Sequence, residues 1–190
     1  MKQGILIILL FACFTVRSQT LTDGEYMIKI FDTGKFLAIA GGATNNGANL
    51  IQWDKEYGRH FFFLLKHLGN NVYTIQSKHS GKFLSTAGAP AAGAKLVQWD
   101  WKDQDNQKWY IEKQNGTKGY VISSFQNRMR VVIQYFNSLV TPRNGAYAYL
   151  QGDDNMRAMI LDFKKNEVGE EPAKPAGNDL LKPGALRKNK

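Results

Sequence analysis

The sequence predicts an all-β domain made of three copies of one unit, and three observations support that prediction. A tyrosine-led strand recurs as Tyr26-Met27-Ile28-Lys29-Ile30, Tyr73-Thr74-Ile75-Gln76-Ser77 and Tyr120-Val121-Ile122-Ser123-Ser124, with steps of 73 − 26 = 47 and 120 − 73 = 47. A Gly-Ala pair follows in each unit (Gly47-Ala48, Gly93-Ala94, Gly145-Ala146), with steps of 93 − 47 = 46 and 145 − 93 = 52. Apolar side chains recur at every second position, the period of a half-buried strand, and no window keeps a 3.6-residue stripe. The units span roughly residues 23–69, 70–116 and 117–165, the third with a loop about six residues longer. Twelve short strands in three equivalent units are expected, sharing one core, because such small units cannot bury their apolar faces alone.

Ahead of the first unit, residues 1–18 read as a secretory signal peptide. Lys2 is the positive end, Gly4 to Phe14 the apolar run, and Ser18 the small residue before cleavage. The run is too short to span a bilayer, and as a helix of the domain it would lack a polar face. Leu10-Phe11-Ala12-Cys13 also resembles a bacterial lipoprotein signal. The chain is therefore expected outside the cell, either secreted or lipid-anchored through Cys13. Cys13 is the single cysteine, so a chain cleaved after Ser18 has no thiol for catalysis or zinc binding. Residues 19–165 are long enough to bury a core without disulfides.

Turn signals divide the units into strands: Thr33-Gly34, Gly41-Gly42, Asn45-Asn46-Gly47, Gly69-Asn70-Asn71, Ser80-Gly81 and Asn115-Gly116. Asn115-Gly116-Thr117 is also a glycosylation sequon where the secretory route is eukaryotic. The second unit carries the fullest motif. Gly81-Lys82-Phe83-Leu84 leads to Gly93-Ala94-Lys95-Leu96-Val97-Gln98-Trp99-Asp100, then to Asp105-Asn106-Gln107-Lys108-Trp109. The first unit repeats it through Gln52-Trp53-Asp54 and offers Arg59-His60-Phe61 at the last position. The third offers Met156-Arg157-Ala158. Strand alternation places Gln107 and Trp109 on one face, and Trp109 reads as a core anchor. After Phe163 the composition changes. Residues 166–190 hold three of the five prolines, mixed charges and no aromatic residue, and read as a disordered charged tail.

These motifs resemble the ricin B-type lectins, whose signature is a thrice-repeated Gln-x-Trp, over residues 23–165. The resemblance implies a β-trefoil, a six-stranded barrel capped by three hairpins, with pseudo-threefold symmetry. It also implies a carbohydrate-binding module without catalytic activity. In that family the aromatic at Trp99 lies under the sugar ring, and Asn106 and Gln107 match polar residues that bind its hydroxyls. Amides suit that work because they donate and accept. Trp53 is the first-unit counterpart; near Gln151, its third-unit equivalent, there is no aromatic. The family's usual aspartate after the Gly-Lys turn is replaced by Ala38, Ser85 and Val132. Ser85 makes one neutral hydrogen bond where a carboxylate makes stronger ones, so weak affinity or a different sugar is expected. Asp100 and Asp103 are candidates to supply the missing carboxylate from another direction.

The formal charge of +9 becomes +7 once Lys2 and Arg17 leave (9 − 2 = 7). Lys78, Lys82, Lys95, Arg128, Arg130 and Arg143 sit in loops or turns and suit anionic or cell-surface glycans. No nucleic-acid motif is present. His60, His67 and His79 lack ligand spacing, Asp100-x-x-Asp103-x-Asp105 lacks the glycine and glutamate of a calcium loop, and no phosphate loop occurs. No enzyme activity, metal or cofactor is expected. The alternative is a protein-binding trefoil, an inhibitor or toxin-like partner, using the long third-unit loop from Tyr135 to Asn144.

Overall fold

The computed structural model describes residues 20–56, 58–134, 143–152 and 159–167. The signal peptide, the tail beyond residue 167 and most of the 135–144 loop lie outside the described residues. Twelve strands follow one another: β1 (Gly24–Ile30), β2 (Phe36–Ile39), β3 (Leu50–Trp53), β4 (Phe62–Gly69), β5 (Val72–Ser77), β6 (Phe83–Thr86), β7 (Leu96–Trp99), β8 (Trp109–Lys113), β9 (Tyr120–Ser124), β10 (Arg130–Ile133), β11 (Ala148–Gln151) and β12 (Leu161–Lys165). The only helices among the described residues are single 3₁₀ turns, at Ala40–Gly42, Arg59–Phe61 and Asp105–Gln107.

Strands β1, β4, β5, β8, β9 and β12 pair antiparallel in that order, and β12 returns to β1, closing a barrel. Closure leaves none of the six with a free edge. The remaining strands form three hairpins, β2–β3, β6–β7 and β10–β11. This is the β-trefoil, in three repeats. Alternation along the tyrosine-led strands puts Tyr26, Ile28, Tyr73, Ile75, Tyr120 and Ile122 in the core, all at most 8% exposed.

The Gly-Ala pairs are the points where the hairpins join. Gly47 N donates to Gln98 O, and Gln98 N returns the bond to Ala48 O. Gly93 and Ala94 do the same with Leu150, and Gly145 and Ala146 with Gln52, all at 2.8–3.0 Å. Each hairpin is thereby bound to the next around the threefold axis. The glycines sit at φ 83°, 82° and 84°, a left-handed conformation that favours glycine.

Strand register corrects the assignment of the Gln-x-Trp counterparts. Tyr73 pairs with Trp109, Tyr26 with Phe63 and Tyr120 with Leu161. The equivalents of Gln107-Lys108-Trp109 are therefore Phe61-Phe62-Phe63 and Met159-Ile160-Leu161, rather than Arg59-His60-Phe61 and Met156-Arg157-Ala158. The three consecutive phenylalanines let the first match slide by two positions. The third lost register because its anchor is Leu161, with no ring to mark it. Phe63, Trp109 and Leu161 are at most 1% exposed, one from each repeat.

Candidate functional site

In the first two repeats the Gly-Lys turn and the Gln-Trp-Asp strand form a clasp. Lys35 pairs with Asp54 at 2.6 Å, and Lys82 pairs with Asp100. The preceding repeat in the ring contributes an asparagine. Asn46 accepts from Asp100 N at 3.0 Å and donates to the Asp100 carboxylate at 2.7 Å. Asn144 does the same for Asp54, at 3.0 and 2.9 Å. These bonds from lysine and asparagine hold both carboxyls below the usual carboxylate range. At the remaining junction Ala92 and Gly152 replace the asparagine and the aspartate, and no equivalent clasp forms.

Gln98 anchors the same strand from inside. It is fully buried; Nε2 donates to Ala43 O and Asn45 O at 2.8 and 2.9 Å, and Oε1 accepts from Ser80 Oγ at 2.6 Å. Trp99 follows at the strand end, 38% exposed, with the edge of its ring above Gly47 of the first repeat.

Four of the residues singled out from sequence meet at one cavity. Ser85, Trp99, Asn106 and Gln107, joined by Lys102 and Gln104, line a space of about 300 Å³. Ser85 is brought there by β6, Trp99 by β7, and Asn106 and Gln107 by the 3₁₀ turn before β8. Gln107 therefore lies on that turn, not on the strand face of Trp109. It is 2% exposed; its Oε1 accepts from Lys102 N and its Nε2 donates to Asp100 O, both at 2.8 Å. Its amide closes the loop over the cavity. Trp109 itself is core, with Nε1 donating to Leu84 O at 3.1 Å.

Asn106 Nδ2 donates to Ser85 Oγ at 3.1 Å, while Asn106 Oδ1 is buried with no hydrogen-bond partner among the described residues. A buried acceptor without a hydrogen-bond partner costs free energy. Neither Asp100 nor Asp103 lines the cavity. Asp100 is held by Lys82 and Asn46, and Asp103 pairs with Lys108 at 3.3 Å. Lys102, which sequence reasoning passed over, is the charged residue in the lining. Its position in a loop of alternating charges carried no signal.

The structure leaves Trp53 apart from this group. Its Nε1 donates to Glu56 Oε1 at 2.8 Å, and its ring packs with Ala38, Phe61 and Phe62. Counting 106 − 46 = 60 and 107 − 46 = 61, the two amides of the second repeat become His60 and Phe61 in the first. Of the basic residues named from sequence, Lys78 pairs with Glu25 at 2.6 Å and Lys95 lies 4.3 Å from the Tyr147 ring centroid. Arg128 and Arg130 share a separate cleft. The described residues contain no group of three or more His, Cys, Asp or Glu side chains placed to hold a metal. They also contain no helix long and apolar enough to cross a membrane.

The fold and the repeated motif define a class. The chain belongs to the ricin-type β-trefoil lectin domain-like family, whose sequence profile it matches over residues 13–99 and 57–138. Among solved structures it is similar to a designed threefold-symmetric protein, ThreeFoil, with 23% identity and a TM-score of 0.68, over 76% of this chain and 100% of that one. The Rhizoctonia solani agglutinin gives 21% and 0.65, over 78% and 99%. The Macrolepiota procera ricin B-like lectin, solved with lactose, gives 17% and 0.63, over 78% and 100%. At these identities the structural likeness speaks for the fold. No curated protein matches the chain significantly. Family membership supports carbohydrate binding as the general activity.

Proposed function

We propose that the protein is a secreted, non-catalytic lectin that binds its sugar in the second-repeat cavity. The observation that carries this reading is the meeting of Ser85, Trp99 and Asn106, three segments of chain, around one space of about 300 Å³. The apolar face of a sugar ring rests on Trp99. Asn106 and Ser85, already joined by a hydrogen bond, offer their polar groups to the sugar hydroxyls. Gln107 keeps the loop in place and presents its edge to the ligand. With serine where a carboxylate is usual and Lys102 beside it, the cavity favours neutral or acidic sugars over amino sugars. Trp53, flanked by Ala38 and Phe61 instead of amides, is the weaker site.

A glycan-array screen of the mature chain, residues 19–190, tests this with Trp99→Ala alongside. Expected is binding by the parent protein and loss in the variant, with unchanged circular dichroism. Binding that survives Trp99→Ala would sink the second-repeat site. A folded protein that binds no glycan would favour a protein partner. N-terminal analysis of the exported chain separates cleavage after Ser18 from lipidation at Cys13.

A further inference from the structure

The third repeat departs from the other two at one turn, and that turn borders a cleft. Gly34 and Gly81 occupy equivalent positions at φ 69° and 72°. The third repeat has Arg128 there (81 + 47 = 128), held at φ 62°. A side chain in this left-handed region carries a steric cost that glycine avoids. The Arg128 guanidinium lies 3.4 Å from the Tyr110 ring centroid and donates to both oxygens of Glu112, at 3.0 and 2.9 Å. Two residues on, Arg130 stands where Phe36 and Phe83 stand in the other repeats, as the register of β2, β6 and β10 shows. Its guanidinium has no ion pair or hydrogen bond among the described residues.

Both arginines open onto a cleft of about 600 Å³, twice the volume of the Trp99 cavity, and the two share no lining residue. Lys113 joins them, its Nζ donating to Lys118 O at 2.8 Å and lying 4.7 Å from the Tyr120 ring centroid. Against these three cations the lining holds one carboxylate, Glu112, so the cleft keeps a net charge of 3 − 1 = +2. Asn71, Gln114 and Asn115 add amides to the wall, beside Val121 and Ser123. Arg128 covers Tyr110, and no tryptophan or other aromatic residue lines the cleft. Recognition there rests on charge and hydrogen bonding instead of ring stacking.

We propose that this cleft binds the anionic groups of an acidic polysaccharide. Sulfate or carboxylate oxygens would sit on Arg130, Arg128 and Lys113, with neighbouring hydroxyls on the three amides. The site is independent of the Trp99 cavity and stands or falls without it.

Isothermal titration of the protein with a heparin-derived tetrasaccharide, inorganic sulfate and neutral maltotetraose tests it. Expected is binding of the tetrasaccharide that weakens as salt is raised from about 0.05 M to about 0.5 M. Maltotetraose should not compete, and sulfate alone should bind far more weakly. Arg130→Gln and Lys113→Gln should each weaken the tetrasaccharide about tenfold. Arg128→Gly, which restores the residue of the other repeats, should weaken it similarly without lowering the melting temperature. Lys55→Gln removes the same charge from an exposed loop elsewhere and should leave affinity unchanged. The proposal is overturned if the tetrasaccharide does not bind, or if Arg128→Gly and Arg130→Gln bind as the parent does. Sulfate binding as tightly as the tetrasaccharide would reduce the cleft to a simple ion site and overturn it as well.

Discussion

His60 occupies the position of Asn106 in the first repeat, and its surroundings set its proton affinity. Gly42 and Gly58 leave room for the imidazole; a Cβ at Gly58 would come within 2.5 Å of the ring. Burial holds the imidazole below its usual pKa, the nearby His79 acts in the same direction, and Glu56 opposes both. The unfolded chain therefore takes up a proton that the folded protein resists. This contribution to stability is fully present above about pH 6.5 and is lost progressively as the pH falls below that value toward and through the lowered pKa of the folded state. The melting temperature should drop between about pH 7.5 and pH 5, and the drop should be smaller in His60→Gln. An identical slope in the variant would remove burial of His60 as the cause. Asp54 and Asp100 have lowered values, so their pairing is lost only at more acid pH, below about 3.9, and the two windows separate.

At the level of the hairpin, one position differs in a usable way. Gln98, Gln52 and Leu150 are equivalent, since each exchanges backbone bonds with the Gly-Ala pair of the neighbouring repeat. Gln98 satisfies both ends of its amide. Gln52 makes a single bond, Nε2 to Arg143 O at 3.0 Å, and its buried Oε1 has no partner among the described residues. Gln98→Leu strands two carbonyls and a serine hydroxyl, and should cost about 1–3 kcal/mol. Gln52→Leu, the third repeat's own solution, should cost clearly less. Urea unfolding midpoints measure both, and equal losses would contradict the hydrogen-bond account.

Taken whole, the barrel is held together mainly across repeat boundaries. The β4–β5 ladder pairs six residues and β8–β9 pairs five, whereas β5–β8, inside the second repeat, pairs two. A fragment of residues 70–116 loses both long ladders and exposes the apolar faces of β5 and β8. It should give an unfolded far-ultraviolet circular dichroism spectrum. The complete domain should unfold in one transition, with tryptophan fluorescence and circular dichroism coinciding. A folded fragment, or separated transitions, would mean that the repeats are autonomous.

The 47-residue step, the tyrosine-led strands and the reading of Trp109 as core came from sequence because they depend on near neighbours. Period-two burial and turn residues act within a few positions, so they survive in the linear text. Ser85, Trp99, Asn106 and Gln107 were singled out through motif resemblance, and the fold brings them to one cavity. What each of them does there was decided by tertiary structure. Gln107 is spent on the Lys102 and Asp100 backbone, Asp100 on Lys82 and on Asn46, which is 54 residues away, and Trp53 on an apolar cluster. Lys102 had no local signature, and Arg128 and Arg130, noticed in the sequence only as scattered basic residues, gave no sign that they share one cleft with Lys113. The physical reason is that a side chain's hydrogen bonds and ion pairs depend on which distant segments barrel closure brings alongside it. Repeat periodicity says that those segments exist, while only the closed threefold ring determines which side chains meet.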